Sequence, residues 1–243
     1  LFPYTTLFRL LDGMALDSEE FFLKSAAINP MWTDHFFVSF NHPSVFRYLF
    51  YRDYLQKNAA NFDAIVLCDG RDVLFQRNPG DVLNAQTPLS FGLEVSRCVL
   101  GAEAFNTTWV THLWGQEVFD KYKGRRIVCS GATVGNIKAI QNYLDLMRDY
   151  LLRHAERTKN AYGFDQAFHN RMWWDGQLPD LKMNENFYSD VANVQGEADA
   201  TLMALVKDGQ LCRADTGAPI MLVHQYDRYP ALTEQLLGRI GKS

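Results

Sequence analysis

The sequence predicts an α/β fold, on three observations. Residues 62–68 (FDAIVLC) form a short apolar run with β-branched residues, which suits a buried parallel strand. Ile137, Ile140, Leu144, Met147 and Leu151 step by three or four, the stripe that a core-facing helix presents. Segments of these two kinds alternate along the chain, with no internal repeat, low-complexity tract or linker between them.

Taken in order, residues 10–40 are mixed, with a possible strand at 35–40 (HFFVSF). Asn41-His42-Pro43-Ser44 then opens a helix, with Ser44 as its N-cap. In that helix Val45, Phe46, Leu49, Phe50, Tyr54 and Leu55 fall on one side, and Arg47, Arg52, Gln56 and Lys57 fall elsewhere. The strand at 62–68 stops at Asp69-Gly70-Arg71-Asp72, after which Val73-Leu74-Phe75 resumes. Residues 89–95 read as a strand, 106–123 as a helix and 126–129 as a strand that ends at a tight break, Ser130-Gly131. Asn136 caps a helix running to about His154, and residues 163–174 form another. Short strands follow, among them 211–213 and 220–223, and a helix over 230–240 ends the pattern.

The chain has 243 residues, with 24 Lys+Arg against 28 Asp+Glu and a net charge of −4. No basic run outweighs the acids, so nucleic acid is not an expected partner. At 47% hydrophobic residues the chain is not a disordered one. Its longest uninterrupted apolar runs are far shorter than the roughly 20 residues of a membrane helix, so no transmembrane segment is expected. Cys68, Cys98, Cys129 and Cys212 are widely spaced and form no CxxC pair, which reads as reduced thiols of a cytosolic protein. Residues 1–9 (LFPYTTLFR) match the in-frame translation of a sequencing-adapter oligonucleotide. The native domain is therefore expected to begin near Leu10 and to be incomplete at its N-terminus.

The segment that bears most on function is 62–79 (FDAIVLCDGRDVLFQRNP), where a strand delivers Asp69, Arg71 and Asp72 to its carboxyl end. Ligands bind at that edge in open α/β sheets. Gly70 permits close approach of the backbone to a ligand. Carboxylate oxygens at such a place suit Mg²⁺ or Mn²⁺. The plain alternative is an acidic turn neutralised by Arg71. A phosphatase nucleophile of the haloacid-dehalogenase type fits less well, because it needs Asp-x-Asp near the start of its domain.

The segment resembles the metal and nucleotide-sugar motif of GT-A glycosyltransferases, where a strand ends in Asp-x-Asp. Three more segments match in order. Residues 129–135 (CSGATVG) resemble the Asn-Ala-Gly or Asn-Ser-Gly segment lining the donor-sugar pocket. Residues 164–170 (FDQAFHN) resemble the Asp-Gln-x-x-x-Asn segment near the reacting sugar, and 223–228 (VHQYDR) the late histidine that joins the metal. The order is similar to that of the family containing glycogenin and bacterial lipooligosaccharide galactosyltransferases. The resemblance spans about residues 43–232. One departure stands out: the position two residues after Asp69 is Arg71, and Asp72 comes one later. Either Asp72 replaces the usual ligand, or Arg71 supplies the positive charge.

The resemblance implies one GT-A (Rossmann-like) nucleotide-diphospho-sugar transferase domain over 10–243, with a mixed, mostly parallel sheet flanked by helices. It implies Mn²⁺ or Mg²⁺ held by Asp69, Asp72 and His224. The donor, a UDP-sugar first, would be bound by Asp69, Gly70, Arg71, Ser130, Gly131 and Arg228. Asp165 and Gln166 would act at the reacting sugar, as a base in an inverting enzyme or by stabilising an oxocarbenium-like centre in a retaining one. Asp165 as a mere helix cap is the plain alternative. The implied acceptor is a glycan or lipid-linked sugar, and the implied location is cytoplasmic or peripheral at the inner membrane. Competing readings are a non-catalytic GT-A-like domain that binds carbohydrate or a partner, and a sugar nucleotidyltransferase. Trp173-Trp174 would be core or a stacking platform, Tyr226 core or a base-stacking residue, and His169 a packing residue. His42, His112 and His154 would be surface or satisfied residues.

Overall fold

In a computed structural model, residues 43–158 and 162–238 are described. Helix α1 (Pro43–Asn58) buries Val45, Tyr48, Leu49 and Leu55. Ser44 lies inside this helix rather than capping it, because Pro43, which has no N–H to satisfy, takes the first helical position. Strand β1 (Ala64–Cys68) follows, then β2 (Val73–Phe75) and β3 (Ser90–Leu93). Helix α2 (Ala104–Tyr122) starts where the Glu103 side chain accepts from the amides of Phe105 and Asn106. It is kinked at Gly115, whose φ of 82° is not helical. Strand β4 (Val128–Asn136) leads into α3 (Ile137–Arg153), and Asn136 Oδ1 accepts from the Ala139 amide at 2.9 Å, the cap expected there. Helix α4 (Phe164–Trp174), strands β5 (Lys182–Asn184) and β6 (Val191–Asn193), and helix α5 (Asp199–Ala204) come next. With a one-turn helix at Ala155–Thr158 ahead of α4, the hairpin β7 (Val206–Lys207) and β8 (Gln210–Leu211), strand β9 (Leu222–His224) and helix α6 (Pro230–Leu237) complete the described α-helices and strands.

The α/β class holds, with small mixed sheets. One has the order β1-β4-β3-β5, another β2-β9-β6, and β7-β8 stand apart. Among the described residues a mostly parallel sheet does not form. Among the described strands four pairings are antiparallel and two, β3 with β5 and β6 with β9, are parallel. Strand β1 in particular runs antiparallel to β4. A short apolar run buries the same side chains in either direction, so its composition does not reveal its partner's sense.

The break expected at Ser130-Gly131 is a bulge inside β4 instead. Phe91 pairs with Thr133 and the next residue, Gly92, with Cys129, so residues 130–132 leave the β3 ladder. Ala132 stays in register with β1, opposite Cys68, and the Asp69 amide reaches the Gly131 carbonyl just beyond the ladder. The strands expected at 211–213 and 220–223 form at Gln210–Leu211 and Leu222–His224. Residues 35–40, His42, the segment 1–9 and the end of the 230–240 helix lie outside the described residues.

The stripe on α3 is the centre of the main core: Ile140, Leu144, Met147 and Leu151 have no exposed surface. They pack with residues of α1, α2 and α4 and with Phe91 of β3. A second core lies under α5 and α6, and Ala132, Val134, Val191, Met221 and Leu222 form an apolar seam between the two larger sheets. Among the described residues no helix is long and apolar enough to cross a membrane. Leu144→Ala should cost about 2–5 kcal/mol, read as a lowered urea midpoint at unchanged slope. A cost below about 0.5 kcal/mol, typical of surface sites, would contradict the core assignment.

Candidate metal centre

The link 69–72 crosses from one sheet to the other, and this crossing builds the site. Asp69 follows β1, and its amide donates to the Gly131 carbonyl at 2.9 Å. Asp72 precedes β2, and its carbonyl accepts from the Gln225 amide at 2.7 Å. Val73 then pairs with His224, and His224 pairs on its other side with Asn193. Residues in register across a ladder present side chains to the same face. That register puts Asn193 beside His224, and the 69–72 link brings one ligand atom each of Asp69 and Asp72 within 4.8 Å of one on His224 and of each other.

The two carboxylates divide their oxygens in the same way. Asp69 Oδ1 takes the Arg47 guanidinium, and Oδ2 lies 3.3 Å from His224 Nε2. Asp72 Oδ2 takes Arg228 at 3.1 Å and Arg71 at 3.3 Å, and Oδ1 lies 3.7 Å from His224 Nε2. One oxygen of each carboxylate is therefore engaged by arginine and the other faces the imidazole. The ring's orientation is set from behind. Asn193 Nδ2 donates to the Leu93 carbonyl at 3.3 Å, which leaves Oδ1 to accept from His224 Nδ1 at 3.0 Å. Asn193 thereby favours a proton on Nδ1 and turns Nε2 toward the two carboxylates. That nitrogen is buried and has no hydrogen-bond partner.

Two glycines make room for these side chains. A Cβ on Gly131 would collide with the His224 ring, and one on Gly92 with the Asn193 amide. Burial raises the Asp69 pKa, yet the His224 ring and the Arg47 guanidinium outweigh it and hold the carboxyl well below the usual range. Around the site Asp69, Asp72, Asp165 and Asp227 face Arg47, Arg71 and Arg228. Four carboxyl groups face three guanidiniums there, and burial raises the pKa of one of them, Asp165. Two carboxylate oxygens and an imidazole nitrogen aimed at them fit a divalent ion.

Of the residues marked from sequence, Asp69, Asp72 and His224 come together. Asp72, directly before β2, is the second carboxylate of the cluster; Arg71 is largely exposed and donates to Asp227 at 2.7 Å as well as to Asp72. Arg228 stands beside it on Asp72, and Gly70 has open space where a Cβ would be. Ser130 turns its hydroxyl to Asp165 Oδ2 at 3.0 Å, and its amide donates to Gln166 Oε1 at 3.3 Å. Asp165 is 2% exposed and reaches Asp69 only through Arg47. Gln166 Nε2 donates to Asn106 Oδ1 at 3.4 Å.

The remaining marked residues are structural. Asn170 holds both the amide and the carbonyl of Val128 at 2.9 Å. His169 stacks on Phe91 and meets the Tyr143 hydroxyl at 2.9 Å; burial pushes its pKa down to about 3, so it is a neutral packing residue. Trp174 stacks on Tyr122 and donates to the Arg126 carbonyl, and Trp173 and Tyr226 also pack against core clusters. His112 meets the Arg157 carbonyl and His154 accepts from Trp114, so both are satisfied. All four cysteines are free thiols, without a disulfide.

Sequence reasoning missed Arg47, Tyr48 and Asn193. Arg47 and Tyr48 are 8% and 2% exposed, and Tyr48 lies on the helical face of Tyr51 and Leu55, a spacing that was available as a signal. Asn193 belongs to no motif and is brought to His224 by strand pairing alone. Glu94 was also unmarked. Burial raises its carboxyl from 4.5 to about 7, against the pull of the Cys129 thiol and His224.

Gly131→Ala should fold yet lose most Mn²⁺ affinity, measured by calorimetric titration, because the new methyl occupies the imidazole's place; retained affinity would contradict the packing. Glu94 binds its proton more tightly when folded, so the folded state holds more protons between pH 4.5 and 7 and stability falls as pH rises through that window. The stability advantage of Glu94→Gln over the parent should therefore grow from pH 4.5 to 7 and then level off. A difference independent of pH would refute the burial of that carboxyl. No protein-family model matches the chain, and no curated protein matches it either.

Proposed function

We propose that the chain is a metal-assisted glycosyltransferase of the GT-A type. It moves a sugar from a nucleotide-diphosphate donor, a UDP-sugar first, to a saccharide or lipid-linked acceptor. The observation that carries this reading is the convergence of Asp69, Asp72 and His224 beneath two arginines that reach solvent, Arg71 and Arg228. Transfer from such a donor expels a diphosphate, and negative charge grows on the leaving group. Carboxylates alone would repel it: a unit-charge pair at 4 Å is worth about 4 kcal/mol at an effective dielectric near 20. Mn²⁺ or Mg²⁺ held by Asp69, Asp72 and His224 supplies Lewis-acid stabilisation of that charge.

The chain's own residues do the rest. Arg71 and Arg228, with side chains 68% and 44% exposed, offer N–H groups to phosphate oxygens. Their shared partner Asp72 keeps both guanidiniums at one place, and Asp227 holds Arg71 from the other side. Asn193 keeps the imidazole proton on Nδ1, so Nε2 stays available. Ser130 of β4 and Gln166 of α4 meet beside Asp165, the place this reading gives to the donor sugar.

The test is release of UDP from a panel of UDP-sugars with Mn²⁺, with and without chelator. Metal stabilisation is worth several kcal/mol, so Asp72→Asn should lose about 100-fold or more in turnover. His224→Ala should weaken Mn²⁺ binding, and chelation should abolish release until Mn²⁺ is restored. Turnover that ignores chelator, or that is unchanged in both variants, would defeat the reading.

A further inference from the structure

Asp165 is a fully buried carboxylate that supplies no atom to the metal cluster. Its Oδ2 accepts from the Tyr48 hydroxyl at 3.0 Å, the Ser130 hydroxyl at 3.0 Å and Arg47 Nη2 at 3.3 Å. The other amino group of Arg47, Nη1, is on Asp69 Oδ1. One planar fork thus spans two carboxylates at a fixed separation, which a lysine ammonium cannot do. A guanidinium buried to this degree needs a counter-charge. Asp69 cannot be its sole one, because a bound cation would draw on the same carboxylate and repel Arg47.

We propose that Arg47 and Asp165 are a positioning pair for the metal centre. Arg47 fixes the Asp69 carboxylate so that Oδ2 faces His224, and Asp165 keeps Arg47 in place when a cation occupies the ligand set. Tyr48 and Ser130, from α1 and β4, orient Asp165. This duty differs from action at a reacting sugar. The inference rests on the metal-centre reading and is independent of glycosyl transfer.

The test is Mn²⁺ affinity of the full chain, followed by the electron paramagnetic resonance signal of free Mn²⁺. Arg47→Lys conserves charge and removes the fork. It should weaken affinity by about 10–100-fold, the usual cost of losing an outer partner of a metal ligand. Tyr48→Phe, which deletes one donor to Asp165, should weaken it in the same direction and less. Leu144→Ala, destabilised through the core alone, should bind as the parent does at a temperature where it is folded. If Arg47→Lys does not fold, Tyr48→Phe decides. The proposal is overturned if affinity stays within about twofold of the parent in Arg47→Lys and Tyr48→Phe, below the usual outer-partner effect. It is equally overturned if Leu144→Ala loses as much as Tyr48→Phe. A parent chain that binds no Mn²⁺ overturns the metal centre and the pair together, whereas absent transferase activity bears on the glycosyltransferase reading alone.

Discussion

Charge buried at a seam between two sheets is the constraint on which this structure depends. Asp72, Asp165, Arg47 and His224 are each less than a tenth exposed, and Arg47 and Asp165 reach from their helices to Asp69 and Ser130 at the crossing between the sheets. Taking one such group out of water without a partner costs several kcal/mol. The chain meets that constraint with alternating acids and arginines, from Asp165 through Arg47 to Asp69, and from Asp72 to Arg71 and Arg228. What this arrangement leaves over, one oxygen on each of two carboxylates and one imidazole nitrogen, could hold a metal ion.

Apolar packing makes the seam narrow enough for this to work. Ala132, Val134, Val191, Met221 and Leu222 close the space between the sheets, and Gly92 and Gly131 let side chains from the second sheet approach the backbone of the first. The bulge at 130–132 belongs to the same design. It keeps β4 paired with β1 while freeing Ser130 to face Asp165 and Gly131 to face His224. An uninterrupted ladder would have spent these residues on β3.

Much of this could be read from the amino acids, for identifiable reasons. The α3 stripe and its Asn136 cap are local signals, and both survive in the fold. Asp69, Asp72 and His224 stand out because carboxylates at a strand end and a late histidine are chemically conspicuous, and the structure joins them across more than 150 residues of sequence. Strand direction was not readable, since burial is indifferent to it. Arg47 was misplaced because an arginine on a helix reads as solvated unless its partners are known, and these lie 22 and 118 residues away. Asn193 is invisible without the β6–β9 register.

The central claim is that Asp69, Asp72 and His224 hold one divalent ion between them. Anomalous diffraction at the manganese edge, from crystals of the chain grown with Mn²⁺, tests it most directly. The account predicts a single strong peak bounded by Asp69 Oδ2, Asp72 Oδ1 and His224 Nε2. A map with no peak there, or with His224 Nε2 engaged by a protein donor or acceptor instead, would contradict it.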